Sequence, residues 1–180
     1  MTSRPSLPPG ETGYAVVVMG VSGSGKTAVG KALAAELGVT FVDGDDHHSP
    51  ESIEKMASGI ALSDEDRRPW LARLRELIKD HLFAGTPLVL ACSAVKQRYR
   101  DRLAAGDPRV HFVYLQSDYA TIARRLAARQ GHFMKADMLQ SQFDALERPA
   151  DAINLDAEAE IGEIVALALD GLVARGVRTS

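Results

Sequence analysis

The chain carries a glycine-rich segment whose residue types and spacing could bind phosphate groups. It fits the pattern G-x-x-x-x-G-K-[ST] and consists of Gly20, Val21, Ser22, Gly23, Ser24, Gly25, Lys26 and Thr27. Glycines let successive backbone N–H groups turn toward one point, and the lysine adds a full positive charge. A hydroxyl at the last position can bind a magnesium ion. The segment therefore predicts a site for the phosphates of a nucleotide.

The elements on either side of this loop are those that such a site requires. Residues 14–19 form an apolar, valine-rich run typical of a buried parallel strand. A helix is predicted from Lys26 to just before Gly38, with apolar residues at helical spacing: Ala28, Val29, Ala32, Leu33 and Leu37. Its N-terminus would add partial positive charge to the loop. A glycine-rich turn that binds nothing is the alternative, and this strand–loop–helix order disfavours it.

Strands and helices alternate along the rest of the chain. Further strands are predicted over residues 39–42, 87–92, 110–115 and 153–155, and further helices over 49–56, 63–84, 95–105, 119–129 and 157–174. Ser63 and Asp66 have the spacing of a capping box, whereas residues 131–149 depart from the alternation. Such alternation predicts an α/β fold with a parallel sheet, whose ligands lie beyond the carboxyl ends of the strands. Segments after Val42, Ala91, Leu115 and Leu155 should therefore converge on the loop.

Composition narrows the class of protein. The chain has 180 residues, 46% of them hydrophobic, and a net charge of −3, which disfavours broad binding to nucleic acid or membranes. Its single cysteine, Cys92, excludes an internal disulfide and suits a reducing compartment. Residues 1–13, with three prolines and two glycines, are predicted to be a flexible leader. We therefore expect one cytoplasmic domain over residues 14–180, without nucleic-acid or membrane partners.

Two aspartates follow the second predicted strand. Asp43 and Asp45 would point the same way if the chain were extended. One carboxylate could hold a magnesium-bound water, and the other could accept or orient the proton of an attacking hydroxyl. An acidic, solvated turn is the plain alternative. The neighbouring His47 and His48 suggest zinc, but other histidine or cysteine ligands at suitable spacing are missing from the sequence.

Basic residues follow the third and fourth predicted strands. Lys96 and Arg100 share a helix face and could bind an anionic substrate group, although a solvated basic face is as plausible. Arg125 and Arg129 lead into the irregular segment, where arginines on a flap could neutralise a transferred phosphoryl group. The tetrapeptides Asp-x-x-Gly and Asn-Lys-x-Asp, usual in GTPases, do not occur. The pattern favours a kinase of small molecules.

The motifs together resemble the gluconate kinases, or gluconokinases, a family of small P-loop kinases. The resemblance runs from about residue 14 to 149 and rests on the order of several segments. They are residues 18–27, Asp43-Gly44-Asp45, residues 53–59, Leu62-Ser63-Asp64 with residues 66–70, Cys92-Ser93-Ala94 with Lys96 and residues 99–101, and the flap segments around Arg125, Arg129, residues 131–133, 138–139 and 142–143.

The resemblance implies a P-loop nucleoside triphosphate hydrolase fold with a five-stranded parallel sheet, a substrate-binding insert and a lid over about residues 130–149. It implies transfer of the γ-phosphoryl group of ATP to the 6-hydroxyl of D-gluconate, with Mg2+, in a homodimer. Residues 20–27 would bind the ATP phosphates, with Thr27 at the metal. Asp43 would support magnesium through water, Asp45 would face the acceptor hydroxyl, and Arg125 and Arg129 would be lid arginines.

One departure from the family pattern affects the substrate site. Ser49-Pro50-Glu51-Ser52 stands where the family commonly has Pro-Arg-Arg-Asn, so another cation would have to hold the gluconate carboxylate. The candidates for substrate contact are Asp45, Arg67, Lys96, Arg100 and His132, and those for catalysis are Lys26, Asp45 and Arg129. A kinase for another hydroxy acid such as shikimate, or an ATP-binding regulatory protein without transferase activity, remains an alternative. A shikimate kinase would usually carry a glycine run after the third strand, which Ala91-Cys92-Ser93 does not supply.

Overall fold

A computed structural model describes residues 13–129 and 136–179 of the chain. The strands are β1 Ala15–Met19, β2 Thr40–Asp43, β3 Leu88–Ala91, β4 Val110–Gln116 and β5 Ile153–Asp156. The helices are α1 Lys26–Leu37, α2 Pro50–Ala57, α3 Asp64–Ala84, α4 Gln97–Ala104, α5 Tyr119–Ala128, α6 Ala136–Ala145 and α7 Ile161–Ala174, with a 3-10 turn over Gly44–His47. All strand pairs are parallel and the order is β2-β3-β1-β4-β5, which confirms the predicted fold class.

Helices cover both faces of the sheet. Ala15, Val17 and Met19 of β1 belong to a core that includes apolar residues of α3, α4, α5 and α6. Val16 and Val18 point the other way, into a core shared with α1 and α7. Every residue of β1 is fully buried, which explains why its sequence is continuously apolar rather than alternating.

Helix ends follow the local signals in the sequence. Gly38 and Gly85 both adopt left-handed backbone conformations after α1 and α3, and each donates its N–H to carbonyls of the last turn. The capping box at Ser63 is present, with the Ser63 hydroxyl accepting from the Asp66 N–H and the Asp66 carboxylate accepting from the Ser63 N–H. Ser49 caps α2, as predicted.

Some boundaries differ from the prediction. Residues 131–149 include helix α6, which the polar composition of that segment obscured. Helix α7 begins at Ile161 rather than 157, because the Asp156 side chain accepts from the Glu158 N–H and forms a turn first. Helix α4 ends at Ala104 rather than Ala105, and both Ala105 and Gly106 take left-handed conformations after it.

Most of the predicted leader and the first part of the predicted lid lie outside the described residues. Residues 1–12 and 130–135 are not described, and His132, a predicted substrate contact, lies among them. Gly13 is buried close to Leu82 and Gly85, so it belongs to the fold. Over residues 13–129 and 136–179, none of the helices is long and apolar enough to cross a membrane.

Candidate active site

The glycine-rich loop lies at the carboxyl end of β1 and leads directly into α1. Gly25 takes a left-handed conformation as the N-cap of this helix, and among the described residues no side chain caps it. The first amides of the helix are therefore available to an anion. Gly20 is also required here, because a Cβ at that position would lie 2.7 Å from Ser24 Oγ and 2.9 Å from the Leu115 carbonyl.

Lys26 is held at the centre of the loop. Its ammonium donates to the Val21 carbonyl at 3.0 Å. Burial lowers the pKa of this group, while the nearby Asp45 and Asp43 carboxylates raise it. A cation in such a partly desolvated loop attracts an anionic ligand more strongly than one in open water.

Asp43 joins the loop to the turn that follows β2. Its Oδ2 accepts from the Thr27 hydroxyl at 2.8 Å, and its Oδ1 accepts from the Asp45 N–H at 3.0 Å. Asp43 and Asp45 are thus not alternate residues of an extended strand, as the sequence argument assumed, because the chain turns into the 3-10 segment immediately after Asp43. The hard oxygens of Thr27 and Asp43, side by side and exposed, are a donor set that suits Mg2+.

Trp70 and His48 hold this turn in place. The sequence analysis assigned neither of them to the site. The Trp70 indole N–H donates to the Gly44 carbonyl at 2.7 Å, and its ring stacks on His48 with centroids 4.3 Å apart. His48 Nε2 lies 3.8 Å from an Asp45 oxygen, and burial lowers the pKa of the imidazole. The signal available for Trp70 was its place in residues 66–70, one of the segments that carry the family resemblance.

A cavity of about 420 Å³ opens over the loop and brings several of the predicted residues together. Of these candidates, Ser22, Gly23, Gly25, Lys26, Thr27, Asp45, Arg67 and Arg129 line it. His48, Ser93, Met138 and Gln142 also contribute to its wall. Segments that follow β1, β2 and β3 therefore meet here together with α5, which follows β4. The segment after Leu155, which the strand-end argument also placed here, contributes none of the described lining residues.

Two predicted substrate residues are engaged elsewhere. Lys96 is held by both carboxylate oxygens of Asp64, at 3.0 and 3.2 Å. Arg98 and the Tyr99 hydroxyl bind the same carboxylate, and the hydrogen bond from Tyr99, followed by that from Lys96, lowers the pKa of Asp64 to about 2.

Arg100 is a structural residue in this arrangement. It is 2% exposed, and its guanidinium donates to the carbonyls of Ala94, Val95 and Glu147 and to the Gln97 side chain. The expectation that Arg100 binds substrate is corrected by this burial, since a guanidinium occupied by four acceptors stabilises the fold instead.

Arg125 also has a partner within the fold. It donates to the Ala157 carbonyl, just after β5, at 2.6 Å, and so connects α5 to that strand end. Arg129, by contrast, is exposed at the end of α5 and lines the cavity. The two predicted lid arginines therefore differ in their surroundings.

Gln142 makes a contact with the loop that the sequence analysis missed. Its Oε1 accepts from the Ser22 N–H at 2.7 Å, and its Nε2 donates to Ser22 Oγ at 2.8 Å. The two residues are 120 positions apart, so no local pattern could have paired them.

Comparisons with known proteins agree on one class of enzyme. A family model described as an AAA domain matches residues 16–153. The thermosensitive gluconokinase of Escherichia coli strain K12 is 46% identical over 156 residues, which cover 84% of this chain and 83% of that protein. A crystal structure of a gluconokinase from Sinorhizobium meliloti 1021 matches with a TM-score of 0.81 at 42% identity, covering 89% of this chain and 92% of that one. Shikimate kinase from Aquifex aeolicus matches with a TM-score of 0.63 at 16% identity over 91% of this chain and 98% of that one, which shows a shared fold alone.

Proposed function

Because the chain belongs to the gluconokinase family, we propose that it transfers the γ-phosphoryl group of ATP to the 6-hydroxyl of D-gluconate, giving 6-phospho-D-gluconate. The observation that carries this proposal is one cavity lined by the phosphate loop, Lys26, Asp45 and Arg67. This reaction needs groups that bind the phosphates of ATP, an acid that faces the acceptor hydroxyl, and a cation that pairs with the carboxylate of the substrate.

The loop would bind the triphosphate. The uncapped amides at the start of α1 and the Lys26 ammonium would surround the β- and γ-phosphates. Lys26 now donates to the Val21 carbonyl, a weak neutral acceptor that a charged phosphate oxygen would replace. Its main effect would fall on the charge that develops during transfer.

Thr27 and Asp43 would hold Mg2+, Thr27 through its hydroxyl and Asp43 through water. The ion, when bound, neutralises charge on the phosphate oxygens. Their present hydrogen bond holds the two oxygens 2.8 Å apart, within reach of one cation.

Asp45 would orient the acceptor hydroxyl. As the oxygen of the 6-hydroxyl forms its bond to phosphorus, the bond from phosphorus to the β,γ-bridging oxygen breaks, ADP leaves, and the hydroxyl proton passes toward the Asp45 carboxylate. The stack of His48 on Trp70 and the hydrogen bond from Trp70 to Gly44 would keep the Asp45 turn in place.

Arg129 would neutralise the transferred group, and Arg67 would pair with the gluconate carboxylate. Both line the cavity, and Arg67 also lies over the Tyr99 ring at 5.9 Å. Lys96 would contribute only after release from Asp64. Arg125, bound to the Ala157 carbonyl, would border the nucleotide beside β5. The homodimer and the cytoplasmic location remain predictions, and light scattering after size exclusion measures the former.

A coupled assay for ADP tests the proposal. With ATP, Mg2+ and a panel of sugar acids, we expect turnover that requires all components and is fastest with D-gluconate. Faster turnover with shikimate would overturn the substrate assignment. ATP binding without turnover on any acid of the panel would favour the regulatory alternative.

A further inference from the structure

Gln142 grips the phosphate loop with both ends of its carboxamide. Its oxygen accepts from the backbone N–H of Ser22, and its nitrogen donates to the hydroxyl of the same residue. A primary amide is suited to this pairing because it offers an acceptor and a donor side by side. Two hydrogen bonds to one residue fix its orientation as well as its distance, whereas a single hydrogen bond leaves the orientation free.

The helix that carries Gln142 is fixed to the body of the protein. Leu139 of α6 is 2% exposed, and Phe143 packs on Tyr119 with ring centroids 5.6 Å apart. Just beyond the helix, the Glu147 N–H donates to Val95 and the Glu147 carbonyl accepts from Arg100. The carboxamide therefore approaches the loop from a rigid support.

The contact lies beside the part of the loop whose backbone has the most conformational freedom. Ser22 precedes Gly23 and Gly25, which both have left-handed φ angles of 81° and 93°. Glycines allow these conformations but do not enforce them, since their backbone is the least restricted. An external hold on Ser22 removes that freedom at the turn leading to Lys26.

We propose that Gln142 is a positioning residue for phosphoryl transfer, acting through Ser22. It holds the outer turn of the loop so that the amides after Ser22 and the Lys26 ammonium keep one arrangement around the phosphates. This inference rests on the proposed function for its kinetic consequence. Its structural consequence is a loop that is held in place before any ligand binds. This consequence does not depend on which alcohol accepts the phosphoryl group.

The test replaces Gln142 with leucine, an apolar side chain that is one bond shorter and removes both hydrogen bonds. Gln140→Leu is the matched control, because Gln140 is exposed on the same helix and binds only Asp144 among the described residues. We expect Gln142→Leu to lower kcat on gluconate by about tenfold, as for the loss of roughly two net hydrogen bonds, with a smaller change in the KM for ATP. Gln140→Leu should match the wild type in both.

A double-mutant cycle shows whether the effect passes through Ser22. Ser22→Ala removes only the bond from Nε2, so it should cost less than Gln142→Leu, and the two together should cost less than the sum of their separate effects. Additive losses would overturn the proposal, as would an unchanged kcat in Gln142→Leu.

Amide hydrogen exchange of the ligand-free protein supplies a readout without turnover. Peptides covering residues 20–25 should exchange faster in Gln142→Leu than in Gln140→Leu, with the core strands unaltered. Equal exchange would overturn the proposal whichever acceptor the enzyme uses. Failure of wild-type turnover on gluconate would instead count against the proposed function.

Discussion

Individual side chains in the cavity divide the work between donor and acceptor. Lys26 and the amides of α1 face the loop, whereas Asp45 stands on the turn after β2 with a side chain that is 72% exposed. We therefore expect both residues to act on the transfer step, Lys26 through the phosphate donor and Asp45 through the acceptor hydroxyl.

Lys26→Ala should lower kcat by about 10²- to 10³-fold while the fold stays intact, because the ammonium acts on charge that develops in the transition state. Lys31→Ala, on an exposed position of the same helix, is the control. Steady-state rates with circular dichroism measure both. Unchanged turnover in a folded Lys26→Ala protein would contradict the role of the lysine.

Asp45→Asn should slow transfer far more than it weakens nucleotide binding. Loss of a proton acceptor typically costs about 10²- to 10⁴-fold in rate. Loss of an exposed charge changes affinity by only about fivefold. Asp46→Asn, at the adjacent exposed position, should leave the rate close to that of the wild type. Nucleotide titration and rates on the same variants decide the matter, and equal losses of rate and affinity would contradict it.

Helices and turns differ in how far the sequence predicts them. Ends of α1, α2 and α3 were predictable because glycine C-caps and serine N-caps act within a few residues. Helix α6 was missed, since its stability comes from packing Leu139 and Phe143 on distant elements rather than from a strong local pattern.

The start of α3 should make stability depend on pH. Asp66 accepts hydrogen bonds from Lys55 and from the Ser63 N–H, which lower its pKa to about 2 from 3.8. The unfolded chain therefore binds more protons between these values. The stabilisation is complete above about pH 4 and is lost as the pH falls toward 2.

Urea unfolding from about pH 6 down to about pH 2 measures this dependence. Asp66→Asn should lose less stability on acidification than the wild type, because the titrating group is gone. Asp80→Asn, at an exposed position of the same helix, should follow the wild-type slope. An Asp66→Asn profile parallel to that of the wild type would show that the capping carboxylate does not contribute.

For the whole molecule, the parallel sheet and the phosphate loop were predictable from the sequence, whereas the strand order and the walls of the cavity were not. The strand–helix alternation fixed the class of fold, and the loop pattern located the end of β1. The contacts of His48 with Trp70, Lys96 with Asp64, and Gln142 with Ser22 join different elements. Side-chain pairings of this kind emerge only when the elements have packed.

Ligand binding should stabilise the whole fold in proportion to the phosphates that the loop can hold. ATP with Mg2+ at about 100 times its Kd should add about 2.7 kcal/mol to the free energy of unfolding, a rise in Tm of roughly 5–10 °C. AMP, which lacks the terminal phosphates, should protect much less at the same concentration. Equal protection by AMP, in a thermal melt, would mean that the loop does not hold the terminal phosphates.

The two carboxylate oxygens of Asp43 accept hydrogen bonds from different segments. One accepts from the hydroxyl of Thr27 and the other from the backbone N–H of Asp45. One planar group thereby sets the spacing between the helix after β1 and the turn after β2. For an engineer, residues 45–47 of this turn are then open to exchange, whereas Gly44 and His48 stay because Trp70 contacts both. A replacement turn that recognises another alcohol would keep the same distance from the phosphates of ATP as long as position 43 remains aspartate.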